Sequence, residues 1–323
     1  MPSPLRFIPN EAKLWTDPEA QPIAIAEVTT RTVQGRFLLK PTPRHRSLML
    51  GVLGRAQERY RFTLYGYAFL SNHYSLLIGV RDPQQLASIM GYINSNIARE
   101  LGRKEHSNWR DKFWSRRHRA ILVLSDDDLL ERLRYLLANG TKENLVRRPE
   151  RWPGAHCAHA FCSGQVDQGA WVDRTQLRLL RASAGASGHV SESEVTTWYP
   201  VQLSAPPAWA RLSPIEQQAK FRALCHEISR AAAEQRVQTR AVVVGLKRLL
   251  RYSPHHRPER LSKSPAPPVH ARERSITKWF RGAYRCFVAS YQEAHRALGS
   301  ALKCFSFPEG GHPPTRLLLD ALE

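Results

Sequence analysis

The stretch YAFLSNHYSLLIGV, residues 67–80, decides how this chain is read. Ala68, Phe69 and Leu70 precede a polar insertion, and Leu76, Leu77, Ile78 and Val80 follow it, which reads as a buried strand. The insertion is Ser71-Asn72-His73-Tyr74-Ser75. Side chains alternate faces along a strand, so His73 and Ser75 point one way and Tyr74 the other. Two ligands spaced by two residues can hold a metal from one face, with imidazole the commonest donor. Here only the first of the two positions is a histidine.

Outward from this stretch the pattern alternates between strands and helices. Ile25, Val28 and Val33, then Phe37-Leu38-Leu39, suggest a strand, a turn at Gly35 and a second short strand. Residues 45–61 carry Leu48, Leu50, Val52, Leu53, Ala56 and Tyr60 at helical spacing. After the central stretch, Asp82-Pro83 opens a helix over residues 85–103 whose apolar stripe is Leu86, Ile89, Met90, Ile93, Ile97 and Leu101. Residues 120–124 form a short strand. Ser125 and the acidic triple Asp126-Asp127-Asp128 then start another helix as an N-cap and a dipole-matched first turn, or else stand as metal ligands. Asn139-Gly140 ends it.

At Asn72-His73-Tyr74-Ser75-Leu76-Leu77 the chain resembles the single-strand DNA transposases of the HUH class, in particular the REP-associated tyrosine transposases, whose strand carries Asn-His-x-His followed by aliphatics. EVTTRTVQGRFLLKP (27–41) is similar to the family's first strand, and GYINSNIARELGR with WRDKFWSRRHRAILV to its tyrosine helix and Trp-x-x-Arg hairpin. RLRYLLANGTKENLVRRPERWPG (132–154) resembles its closing segment. The likeness covers residues 20–155 and implies an α+β fold: a ferredoxin-like or RRM-like antiparallel sheet with helices in a βαββαβ plan. It also implies a metal at His73, Mg²⁺ or Mn²⁺, a tyrosine nucleophile forming a phosphotyrosine link, single-stranded or hairpin DNA as substrate, and a homodimer. Two departures stand out. The partner of His73 is Ser75, and a hydroxyl is a poor replacement for imidazole. Where the resemblance puts the nucleophile, the chain reads Ser95-Asn96-Ile97-Ala98-Arg99-Glu100, and the nearest tyrosine is Tyr92. Retained cleavage would use His73 with help from Asn72 or Glu100, and Tyr92 as the attacking group.

Charge points the same way without any resemblance. The net charge is +20 and the isoelectric point about 10.3, an excess that speaks of partners rather than fold, nucleic acid first among them. No apolar run approaches a membrane span, and MPSPLRFIPNEAK lacks the apolar core of a signal peptide, so a cytoplasmic or nucleoid-associated protein is expected. The most basic interval is 99–119. Arg99, Arg103, Lys104, Arg110, Lys112, Arg116, Arg117 and Arg119 there face only Glu100, Glu105 and Asp111, with Trp109, Phe113 and Trp114 interleaved. Cations that follow a backbone, with aromatic faces for unpaired bases, suit single-strand binding. Alternatively the aromatics pack in the core and the arginines form a solvated face.

Past the likeness, residues 156–210 show little periodicity until TWYPVQL (197–203) and read as an irregular linker segment, and residues 1–22, rich in proline, as an extended arm. Residues 211–323 read as a mainly helical, basic module: a helix over 214–236, helical continuation over 241–250, a Pro- and Arg-rich loop with His255, His256 and His270, and a helix over 276–302. This module is either a second DNA contact or oligomerisation surface, or an inert cover for the sheet. The five cysteines are scattered and read as free thiols. The cluster from His156 to Cys162 lacks the second Cys/His pair of a structural zinc site. Three functions remain open: a DNA binder on a transposase scaffold with cleavage weakened or lost, an active metal-dependent transposase or endonuclease, and an RNA-binding module.

Overall fold

The computed structural model describes residues 7–184, 190–258, 268–298 and 306–312. Parts of the proposed arm, the Gly/Ser stretch, the Pro-rich loop, the end of the last helix, Cys304 and most of the tail fall outside them. In chain order the strands are β1 (Trp15–Thr16), β2 (Pro22–Arg31), β3 (Thr63–Phe69), β4 (His73–Val80), β5 (Arg119–Val123), β6 (Asp167–Val172), β7 (Thr196–Val201) and β8 (Val269–His270). The helices are α1 (Pro43–Tyr60), α2 (Pro83–Leu101), α3 (Asp126–Leu137), α4 (Cys157–Ser163), α5 (Arg174–Ser183), α6 (Pro214–Thr239), α7 (Leu246–Arg251) and α8 (Arg274–Leu298). Among the described residues no helix is long and apolar enough to cross a membrane.

Residues 67–80 are a hairpin rather than one strand. β3 and β4 pair antiparallel with Phe69 opposite Tyr74, and the polar insertion is where the chain reverses: the Leu70 amide donates to the His73 carbonyl at 2.8 Å across Ser71-Asn72. Both arms are apolar because the hairpin, with β3 at the end of the sheet, is covered on both faces, which made it look continuous. The main sheet runs β3-β4-β2-β5-β8, all antiparallel except for the parallel β5–β8 pair, with β1 added on β2. The first four of these, with α1 and α2 as the intervening helices, are the expected βαββαβ plan. The second short strand expected at residues 37–39 is absent; a 3₁₀ turn, Val33–Gly35, occupies the start of that segment.

One face of the sheet packs on α2, where the Tyr74 hydroxyl donates to Asn94 Oδ1 at 2.7 Å. The other face takes α3 and α4. A Cβ on Gly66 of β3 would lie 3.4 Å from both Leu133 and Leu136 of α3, and 3.6 Å from Cys157 Sγ. α6 packs behind them, with Phe161 of α4 stacked on Phe221 at 3.7 Å between ring centroids and Arg134 of α3 paired with Glu227 at 3.0 Å.

Residues 156–210 correct the linker expectation. They hold α4, α5 and the antiparallel β6–β7 hairpin, which lies against α1 so closely that a Cβ on Gly51 would sit 2.2 Å from the Ala170 carbonyl oxygen. The closest contacts are with glycines and backbone rather than with an apolar stripe, so periodicity marked only the TWYPVQL end of it. The C-terminal part is mainly helical, as expected, but it shares one buried core with the rest, from Ile8 through Ile228, Val269 and Phe280. The acidic triple caps α3: Ser125 Oγ accepts the Asp128 amide at 3.1 Å, and Asp128 in turn accepts the Arg272 amide. His156 likewise caps α4 through Nδ1, and no group of three or more His, Cys, Asp or Glu that could hold a metal occurs among the described residues.

Candidate nucleic-acid interface

α3 covers only the β3–β4 half of its face, because its apolar residues Leu129, Leu133 and Leu136 fall on one side of the helix. The β2–β5 half stays open as a cleft of about 160 Å³. Alternation along β2 delivers Glu27, Thr29 and Arg31 to this floor, and the antiparallel register sets Arg119 of β5 beside Thr29 and Ile121 beside Glu27. Arg116 and Arg117 descend from the loop before β5, Arg132 and Tyr135 from the edge of α3, and His270 from β8.

The charges in this cleft do not cancel. Glu27 is buried and engaged by His270 Nε2 at 2.8 Å and by Arg132 at 3.6 Å. Arg31, Arg116, Arg117 and Arg119 make no ion pair with any described residue. Burial, then Arg116, then Arg31 press the Arg119 guanidinium below its ordinary pKa. The same field reaches His73, which lies directly across the β2–β4 pairing from Arg31: burial, then Arg31, then Lys142 push it down to about 3. An anion entering the cleft would relieve this repulsion. Tyr135 stands at its rim, 46% exposed, with Lys142 Nζ 3.2 Å and Arg132 Cζ 4.7 Å from its ring centroid.

The residues singled out in the sequence are only partly brought together. Arg116, Arg117 and Arg119 line the cleft; Arg99, Arg103, Lys104, Arg110 and Lys112 do not. Trp114 is half-buried, its Nε1 donating to the Asn94 carbonyl at 2.9 Å and its ring edge-on to Tyr74. Trp109 is half-buried, with Arg36 4.8 Å above its ring and His255 edge-on to it at 5.6 Å. His73 and Tyr92 are on opposite faces of the sheet. Tyr92 projects from α2 toward Tyr60 and Trp171, at 5.7 Å and 6.0 Å between centroids. Glu100 is buried and clamped by Arg174 at 2.7 Å. Arg31, Arg132 and Tyr135, which complete the cleft, were not singled out; Tyr135 lies within the segment 132–154 that carried part of the resemblance, and that was its available signal.

The residues around His73 do not fit a divalent cation. Its Nδ1 is 2.8 Å from Asn72 Oδ1, Ser75 and Thr29 share a hydroxyl–hydroxyl hydrogen bond at 3.0 Å, and the nearest cross-strand neighbour is the cation Arg31. One imidazole facing a guanidinium lacks the donor set such an ion needs, so no step is derived through a metal.

No family model matches the sequence, and no curated protein matches it. Among solved structures, a REP-associated tyrosine transposase bound to a REP hairpin shows a distant similarity, with 14% identity and a TM-score of 0.37, over 43% of this chain and 79% of that one.

Proposed function

We propose that this chain is a DNA-binding protein on a transposase-like scaffold, taking hairpin or single-stranded DNA at the open β2–β5 face, with strand cleavage weakened or lost. The observation that carries this is the cleft itself: five arginines converge on one sheet face around a single carboxylate that is already partnered. Unneutralised guanidiniums are the groups that bind phosphate in bidentate fashion. The sequence resemblance at residues 72–77 supplies the form of DNA. Loss of cleavage is supported by Ser75 in place of the second imidazole and by the separation of Tyr92 from His73.

One observation favours a second reading in which cleavage survives. Tyr135 is an exposed phenol between two cations on the same side of the sheet as His73. Its oxygen would form the bond to phosphorus as the 3′ oxygen leaves and takes up a proton, the arginines bearing the phosphate charge.

A labelled hairpin with a single-stranded tail, incubated with and without Mn²⁺, separates the two. Binding that shifts the strand on a native gel but leaves it intact on a denaturing gel is the expected result, and Arg116→Ala with Arg117→Ala should weaken it. A covalent protein–DNA product would overturn the loss of cleavage; in that case Tyr135→Phe should abolish the product and Tyr92→Phe leave it. Stronger competition by an RNA strand of equal length would favour the RNA-binding module instead.

A further inference from the structure

The long C-terminal helix carries charge that the cleft does not use. On α8, Arg274, Lys278, Arg281 and Arg285 follow one another at intervals of four, three and four residues, and Arg296 continues the row after Gln292. At 100° per residue these positions fall on a single stripe. All of them are exposed. Phe280, Phe287 and Ala294, on the opposite side, are buried, with Phe7 stacked on Phe287 at 4.5 Å between centroids. Arg274, Lys278, Arg281 and Arg285 make no ion pair with any described residue, and Glu273 and Glu293 lie off the stripe.

We infer that this stripe is a second nucleic-acid contact, one that grips the phosphate backbone of a duplex, resting on the reading of the chain as a DNA binder. Two features choose duplex over unpaired strand. A single strand is held by aromatic faces interleaved with charge, whereas α8 turns Phe280, Tyr284, Phe287 and Tyr291 inward against each other and Phe7. The stripe itself offers charge alone, in a row; Trp279, 40% exposed, lies off it around the helix. From Arg274 to Arg285 that row is about 16 Å long at the helical rise of ~1.5 Å per residue, comparable with several phosphates of one strand at about 3.4 Å each. The two basic surfaces are also neighbours. α8 begins four residues after His270, which lines the cleft, and near its other end Tyr291 sits within the field of Arg117. A hairpin whose unpaired part enters the cleft can thus lay its stem along α8.

The test uses the full chain with two probes, a short hairpin DNA and an unstructured strand of equal length, titrated over a range of salt. Arg274→Ala, Lys278→Ala, Arg281→Ala and Arg285→Ala combined should make the salt dependence of hairpin binding shallower by about 3 to 4, since each duplex phosphate contact contributes ~0.9 to the slope. Single-strand binding should stay within twofold. Replacing the three arginines by lysine should preserve the slope. If the combined variant is not folded by circular dichroism, the pair Arg281→Ala and Arg285→Ala should lower the slope by about half as much. An unchanged hairpin slope, or an equal loss for both probes, overturns the duplex contact. Failure of the cleft shows differently: Arg116→Ala with Arg117→Ala would leave single-strand binding untouched while the α8 variant still loses the hairpin.

Discussion

Four histidines are held neutral by their surroundings, and this sets how the protein responds to acid. Burial is the leading cause for each: His73 is pushed down to about 3, and His45, His106 and His156 to about 4. His45 and His106 also stand ring to ring at 5.0 Å, and His106 adds to the lowering of His45. An unfolded chain binds these protons near the ordinary value of 6.5, before the folded one does. Stability is therefore full above about pH 6.5 and is lost as pH falls toward 4. Urea unfolding should give a flat midpoint from pH 8 to 7 and a falling one from pH 6.5 to 4.5; a flat midpoint through pH 5 would contradict the buried, neutral state. At this scale the sequence was informative about residue type and silent about surroundings. Arg116, Arg117 and Arg119 stood out as part of a charge run, while Arg31 and Arg132, in less basic surroundings, reach the same cleft only through strand register and helix packing.

Among the elements, α1 and the β6–β7 hairpin approach each other at backbone contact. Gly51 and Gly54 leave the helix surface bare, and the strands lie directly on it: a Cβ at Gly54 would be 2.6 Å from the Pro200 carbonyl oxygen, and one at Gly169 would be 2.1 Å from the Gly51 nitrogen. These neighbours are backbone and have no rotamer to give. Gly51→Ala should destabilise the fold by about 2 kcal/mol or more and loosen the hairpin, measurable as a lower denaturation midpoint with faster proteolysis in residues 167–201. Gly91→Ala, where nothing lies within 4 Å of the added carbon, serves as the matched control and should leave the midpoint unchanged or raised. The helices were legible because their stripes and caps are local: α1, α2, α3 and α6 lie within a few residues of where periodicity and prolines put them. The β6–β7 hairpin was legible only at TWYPVQL, because its closest contacts with α1 rest on glycine and backbone and leave little pattern in hydrophobicity. The turn inside residues 67–80 was hidden for a different reason. Both of its arms are buried but for His73 at the turn, so apolar character continued past the point where the chain reverses.

Taken whole, a main core joins the N-terminal and C-terminal parts, with two smaller clusters beside it and two basic surfaces outside it. β8 also ties the two parts together. Two residues, Val269 and His270, pair with Leu122 and Val123, so the C-terminal part supplies the outermost strand of a sheet whose other members come from the N-terminal part. The βαββαβ plan was expected from the resemblance; a two-residue addition from far along the chain has no signature of its own. A chain ended before residue 268 would keep β2 to β5 but leave the backbone groups of β5 unpaired along its outer side. Free strand edges of this kind recruit other chains. The shortened protein should elute as oligomers or precipitate where the full chain does not, and a monodisperse, folded fragment would show that β5 needs no cover. By that measure β8 is a guard against self-association. One segment carries both β8 and the basic stripe of α8, so a cut before residue 268 removes the cover of this sheet edge and the stripe together.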